Sequence, residues 1–275
     1  MMMRTIARVL VVLFLSVMIA EAQPVKLPVY GVRRAVDAIR VDGKLDEMSW
    51  ALAPRLGEFR QIRTPDTRPH FPTEGALVWD DVNLYVSFAC NDLDPWGRLK
   101  NRDDRLWDEE VVEVFLDPDG DGLNYAELEV SPHNVVVDLL IAKPRGDTDA
   151  ALKWNIDGLQ TAVTRHAAGW VTEIAIPWKS LAAAGASAAP KPGEQWRAGF
   201  YRIKRPGGVA KADEIAALVA ERKQADETRG AAIDARLREL RSNDEYSAWS
   251  ITRPERGFHD PERFGYIEFL GGRPE

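Results

Sequence analysis

The densest group of residues able to do chemistry lies between Trp107 and Val130. In Val111-Val112-Glu113-Val114-Phe115-Leu116, successive strand side chains point to opposite faces. Val112, Val114 and Leu116 then share one face, and Glu113 and Phe115 the other. In Tyr125-Ala126-Glu127-Leu128-Glu129-Val130 the same alternation puts Leu128 and Val130 inward, with Tyr125, Glu127 and Glu129 opposite. Paired as a hairpin, the two runs display three carboxylates and two aromatic rings on one sheet face, with Trp107 at the rim. Aromatic faces stack on the apolar C–H patches of a sugar ring, while fixed polar groups bond its hydroxyls. Carboxylates in pairs also serve glycoside hydrolysis. Two strand residues spaced like Glu127 and Glu129 have Cα atoms roughly 6.5–7 Å apart, inside the roughly 5–9.5 Å that glycosidase pairs span. A general acid needs, in addition, a secluded site that raises its pKa, and nothing in the sequence predicts seclusion. An ordinary solvated sheet face, on which glutamate is common, is the plain alternative.

The turn between those runs invites a metal test. Asp117, Asp119, Asp121 and Gly122 match the opening of a calcium-binding helix–loop–helix loop, but Leu128 stands where that loop needs a bidentate glutamate. The flanks also read as strands, and Asp and Gly suit a tight hairpin turn. No cofactor is expected, and a calcium ion on Asp117, Asp119 and Asp121 is the alternative to a plain turn, since a hard cation needs only clustered oxygens. His70, His133, His166 and His259 have no ligand spacing. His-Glu-x-x-His, a Gly-Lys-Ser/Thr phosphate loop and Gly-x-Ser-x-Gly are all absent.

Most of the chain reads as short strands between Pro, Gly and Asp turns. Gly75 to Trp79 and Leu84 to Cys90 flank the turn Asp80-Asp81-Val82-Asn83. Further strands are expected at 135–141, 159–164, 170–176, 196–203, 246–252 and 264–269. That pattern predicts an all-β fold, an antiparallel β-sandwich of jelly-roll or immunoglobulin-like type, in one domain over 23–275. Residues 211–241 break it. They are rich in Ala, Glu, Arg and Leu, with apolar residues at helical spacing and a polar middle at Asp226 to Arg229. One interrupted helix or two helices are expected there, as a surface insertion packing on the sandwich, with a lid or a dimer contact as the sharper alternative.

The chain has 275 residues, 45% apolar and 29% charged, as in ordinary globular proteins. Its formal charge of −7, without a basic stretch, argues against a nucleic acid or an anionic membrane surface as partner. Arg4 and Arg8, the apolar run Val9 to Ala20 and Ala20-Glu21-Ala22 read as a signal peptide over 1–22. The run is too short to span a bilayer, which takes roughly 20 residues. Export to a periplasm or the medium follows. The lone Cys90 forms no intrachain disulfide and alternates as a buried strand residue.

Five motifs in order resemble the family-9 carbohydrate-binding modules and their relatives. They are Ile39-Arg-Val-Asp-Gly-Lys-Leu-Asp-Glu with Trp50, Ala76-Leu-Val-Trp-Asp-Asp-Val-Asn-Leu-Tyr-Val, Trp107-Asp-Glu-Glu-Val-Val-Glu-Val-Phe-Leu-Asp, Gly169-Trp-Val-Thr-Glu-Ile-Ala-Ile-Pro-Trp, and Trp249-Ser with His259-Asp-Pro-Glu-Arg-Phe-Gly. The resemblance spans about Ile39 to Phe269 and implies a β-sandwich that binds the end of a sugar chain, with a glycoside hydrolase as possible partner. It implies that Trp107 and Phe258 hold a terminal sugar between their rings, and that Glu113 bonds it. His259 neighbours Phe258. A family Arg aligns with Glu129, which exchanges a donor for an acceptor, and a family Asn aligns with Glu255. Trp50, Trp79, Trp178 and Trp249 are expected in the core. Distant sandwich relatives hold haem on Met and His. Met48 is the one methionine beyond the leader.

Overall fold

The computed structural model describes residues 25–272 except 187. The expected leader and its cleavage point lie outside these residues. Strands form at β1 (Val29–Arg34), β2 (Arg60–Gln61), β3 (Thr73–Trp79), β4 (Asn83–Asn91), β5 (Val111–Asp117) and β6 (Tyr125–Val130). They continue with β7 (Val136–Ile141), β8 (Gln160–His166), β9 (Gly169–Pro177), β10 (Gln195–Lys204), β11 (Glu245–Ala248) and β12 (Gly265–Phe269). The pairing order is β7-β6-β5-β10-β12-β1-β3-β4-β9-β8, with β11 joining β10 to β2. This is the all-β sandwich the turn spacing predicts.

Its hairpins rest on the Asp turns. Asp80 accepts from the Val82 and Asn83 N–H groups at 2.8 and 2.7 Å. Asp117 accepts from Gly120 and Gly122 at 3.1 Å each, and both glycines have positive φ, +72° and +78°. The pairings described are antiparallel except the two made by β1. Val29–Val32 run parallel to β12, and Arg33–Arg34 run parallel to β3, so β1 links the two halves of the sheet. Parallel neighbours need a long connection instead of a hairpin, and residues 35–72 supply one between β1 and β3.

Between the halves lies the main core. It takes Val112, Val114, Leu116, Leu128 and Val130 from one half, and Leu77, Val86, Phe88 and Ile174 from the other. Trp79, Trp178 and Trp249 are buried in it, and Trp50, on α1 (Met48–Leu52), lies in a smaller cluster on the outer face of β3 and β4. Met48 itself is 57% exposed. A further cluster covers the outer face of β5, β6, β7 and β10, under the loops that carry Leu106, Phe258 and Phe264. That second buried face is where the site lies.

Besides α2 (Thr148–Ala151), the helical insertion forms two helices, α3 (Gly208–Arg222) and α4 (Glu227–Leu240). The polar middle is the break, and Asp226 caps α4 by accepting from the Arg229 N–H at 2.8 Å. The expected packing of both apolar patches on the sandwich is not what forms. The helices pack mainly on each other, and buried Ile233 and Leu237 stay outside the sandwich clusters. Ile215 and Val219 of α3 line a groove that Trp96 and Tyr246 also line, so α3 stands beside the sandwich without joining its core.

Candidate binding site

Strand register builds the floor. Glu113 on β5 pairs with Glu129 on β6, and Phe115 pairs with Glu127. One carboxylate oxygen from each of Glu113, Glu127 and Glu129 lies within 4.8 Å of the other two. The side chains point away from the main core, as alternation requires, yet they are only 2%, 4% and 1% exposed. A solvated sheet face is therefore not what the structure shows; loops on the outer side seclude it. Burial is the largest cause that raises the pKa of each glutamate. The neighbouring Glu127 raises Glu113 further, and Glu113 and Glu127 do the same to Glu129. Arg205 acts against the rise at Glu113, and His259 against it at Glu127.

The walls come from loops. Trp107 sits in a short 3-10 turn, Leu106–Asp108, and is partly buried. Arg205, just after β10, donates to the Trp107 carbonyl at 2.8 Å and to the Glu109 carbonyl at 3.1 Å. The same guanidinium donates to the Tyr246 hydroxyl at 2.8 Å and to Asp244 at 2.6 Å. One cation thus anchors two aromatic residues of the cavity. Phe258 lies in the loop between β11 and β12, where Arg253 holds Asp260 in a two-pronged pair. Phe258 is 7% exposed, and one of its faces stacks on Tyr201 at 4.3 Å and 11°. A Cβ at Gly199 would meet the Tyr201 ring at 2.3–2.5 Å, so only glycine there lets Tyr201 lie back beneath Phe258. His259 Nδ1 shares a hydrogen bond with the Tyr125 hydroxyl at 2.8 Å, and its Nε2 lies 3.8 Å from Glu127.

Trp107, Glu113, Glu127, Glu129, Phe258 and His259 all line one cavity of about 310 Å³. Glu255 is exposed and lies off that lining; its carbonyl accepts from Arg145, which does line it. Sequence reasoning missed Tyr246, Ile203, Arg105, Lys143 and Arg145 on the walls. The alternation of β10 places Tyr201 and Ile203 on the Glu113 face, and Ile203 pairs with Tyr246. That signal was present in the sequence, but it needs the pairing of β10 with β5, which is non-local. Lys143 and Arg145 carry no pattern at all.

The second acidic group, Asp117, Asp119 and Asp121, also brings oxygens within 4.8 Å of one another. There the carboxylates serve the turn: Asp119 accepts from the Asp121 N–H and Asp121 from the Leu123 N–H. Burial, with Asp119 adding to it, pushes Asp117 up to about 6.

A family described as carbohydrate family 9 binding domain-like matches residues 41–202. An exoglucanase of Acetivibrio thermocellus is 24% identical over 141 residues, which cover 51% of this chain and 12% of that protein. The matched stretch is thus a small part of the exoglucanase. A carbohydrate binding module of family 9 from Caldicellulosiruptor kristjanssonii, in complex with cellotriose, is 16% identical, with a TM-score of 0.55 over 90% of this chain and 95% of that one. The same organism's module in complex with glucose is 17% identical, with a TM-score of 0.55 over 90% and 98%. At these identities the likeness to the two solved structures shows the fold.

Proposed function

The chain belongs to the carbohydrate family 9 binding domain-like family, and from that premise we propose that it binds a carbohydrate in the cavity over Glu113, Glu127 and Glu129. One observation carries the reading. A single cavity joins aromatic walls, Trp107, Tyr246 and Phe258, to a floor of buried carboxylates. Ring faces take the C–H side of a sugar, and carboxylates take its hydroxyl protons. Trp107 is the open platform. Phe258, already covered on one side by Tyr201, offers its remaining surface as a fixed wall.

Seclusion of the carboxylates bears on the alternative of glycoside hydrolysis. That chemistry needs one carboxyl kept protonated beside another kept ionised. Here burial raises all of Glu113, Glu127 and Glu129. His259 and a hydrogen bond between Glu127 and Glu129 lower Glu127, and the same bond raises Glu129, but burial still outweighs them, so none is held low as a ready nucleophile. Binding is the better account. The reading includes export, on the Arg4, Arg8 and apolar leader, and a glycoside hydrolase as working partner, since the module-bearing relative is an exoglucanase. Haem has less support, because exposed Met48 lies on α1, on the outer face of the other half of the sandwich. No helix among the described residues is long and apolar enough to cross a membrane.

A glycan array, followed by calorimetry, tests the proposal; glucose and cellotriose are the first ligands to titrate. Saturable binding that weakens at least tenfold in Trp107→Ala is expected. Binding to no glycan, or equal affinity in wild type and variant, would overturn it. Sugar released from an oligosaccharide by the purified protein would move the reading to hydrolysis.

A further inference from the structure

Among the described residues, the fully buried carboxylates outside the cavity floor have partners, while partly buried Glu47 and Asp103 each leave one oxygen without one. Glu173 accepts from the N–H groups of Asp42, Gly43 and Lys44 and from the Trp50 indole. Glu245 accepts from the His70 and Phe71 N–H groups, and Glu109 from those of Arg98 and Leu99. Asp138 accepts from the Ile156 N–H and pairs with Arg102. Each of these holds a loop to the sheet. The floor of the cavity is different. Glu113 Oε1, Glu127 Oε2 and both oxygens of Glu129 are buried with no hydrogen-bond partner. Stripping water from a carboxylate without replacing it is among the most unfavourable arrangements a fold can hold. Turn geometry cannot explain it, because all three residues sit within regular strands. A proton held between the Glu127 and Glu129 carboxyls themselves offsets part of this charge, and a cation arriving from the cavity would offset the rest.

We propose that Glu113, Glu127 and Glu129 together hold one calcium ion on the cavity floor. The donor set is oxygen only, which selects a hard cation. Calcium takes oxygens at about 2.3–2.6 Å, so donors on opposite sides of it stand roughly 4.6–5.2 Å apart. Carboxylate oxygens already within 4.8 Å of one another close around such an ion without moving the strands. A dication also offsets more of the charge than an ammonium does, and it accepts the bidentate grip that engages both orphan oxygens of Glu129. Calcium takes about 6–8 oxygens, more than the floor supplies in any monodentate arrangement. Its open positions face the cavity, where hydroxyls of the ligand fill them. Only that last step rests on the carbohydrate reading; the ion site stands on the carboxylates.

Calcium calorimetry on chelator-stripped protein, with no sugar present, tests the site. The background is Asp119→Asn/Asp121→Asn, which removes the acidic turn as a second receptor. One equivalent of calcium is expected to bind there, and the affinity is expected to fall at least tenfold on adding Glu129→Gln. Glu113→Gln, read alongside, guards against a Glu129 variant that fails to fold. No calcium binding in the Asp119→Asn/Asp121→Asn background overturns the proposal, as does equal affinity with and without the floor substitutions. So does a titration in which glucosamine, and not calcium, fills the stripped site, since the cation is then an ammonium. Sugar affinity is measured separately, so a failed ion site and a failed sugar site give different results.

Discussion

Glu113 on β5 stands directly opposite Glu129 on β6, and both are buried. Like charges directly opposed across a ladder destabilise it, no N–H group donates to Glu113 Oε1 or to either oxygen of Glu129, and Arg205 offsets the charge only at Glu113. The rest of the outer face of this half-sheet is ordinary core: Phe115, Tyr125, Tyr201 and Phe264 pack edge to face or stacked. A site this poorly compensated, set in a region otherwise well packed, is what a receptor looks like before its ligand arrives.

The two rings should respond differently to truncation. Trp107 is partly exposed, so Trp107→Ala should leave the fold intact and reduce glycan affinity by about 1.5–4 kcal/mol, on the scale of aromatic hot spots. Phe258 fills a buried position against Tyr201, so Phe258→Ala should also destabilise the protein by about 3–5 kcal/mol. Calorimetry for affinity and urea unfolding for stability separate the two effects. Equal loss of stability in both variants would contradict the placement of Trp107.

Arg205 is expected to position the site without touching the ligand. It does not line the cavity, yet it bonds the Trp107 carbonyl and the Tyr246 hydroxyl. Arg205→Lys keeps a charge for Asp244 but loses the forked geometry that reaches several acceptors at once. Glycan affinity should fall at least fivefold, and the tryptophan emission of the ligand-free protein should shift as Trp107 loosens. Affinity within twofold of wild type would show that the loop holds its shape without the guanidinium.

The elements read most faithfully were those with local causes. Strands β3 to β10 and β12 follow from period-2 alternation between Asp and Gly turns, and the structure moves their ends by at most two residues, whereas β11 stops at Ala248, four residues short of the expected 252. Strand β1 was missed because Val29–Arg34 has no hairpin partner nearby; its neighbours β12 and β3 lie far along the chain. The face carrying Glu113, Glu127 and Glu129 was legible from alternation, but its burial was not. Seclusion comes from loops carrying Leu106 and Phe258, and from pairing β10 with β5. None of those contacts is local in sequence. The helices were legible from composition, but their packing on each other was not, since an apolar stripe does not say which surface covers it.

Glu110 should make stability depend on pH. It faces Lys204 at 2.8 Å, with Asp92 and Arg202 in the same buried network. Lys204 is shared with Asp92, and burial outweighs its attraction, pushing Glu110 up to about 8. The folded pKa is above the unfolded one, so the associated stability is complete below about pH 4.3. It is lost as pH rises toward about 8. Each unit is worth about 1.4 kcal/mol, so the fall is on the order of a few kcal/mol. Urea unfolding at pH 5, 6.5 and 8 should show the decline in wild type and a flatter profile in Glu110→Gln. A wild type more stable at pH 8 than at pH 5, with the variant unchanged in slope, would reverse the assignment.

The helical pair should be removable if its anchor is kept. Lys211 at the base of α3 donates to buried Asp244 at 2.8 Å and to the Pro206 carbonyl at 2.9 Å. Beyond it the helices pack mainly on each other, and Ile233 and Leu237 bury nothing in the sandwich clusters. Replacing residues 212–240 by a short Gly/Ser linker therefore removes little of the sandwich beyond the exposed Arg98–Asp213 pair and one wall of a groove, and a change in loop length alone alters closure entropy by only about 0.6 kcal/mol per doubling. The shortened protein should fold cooperatively, with unfolding free energy within about 2 kcal/mol of the full chain and unchanged affinity for a single sugar unit. Glycans of several units are a different matter. Ile215 and Val219 of α3 form one side of a second groove, and Tyr246 lines both that groove and the site cavity. Loss of affinity for long chains with retention for short ones would show that the insertion extends the site. An insoluble or non-cooperative deletion variant would show that the pair belongs to the core after all.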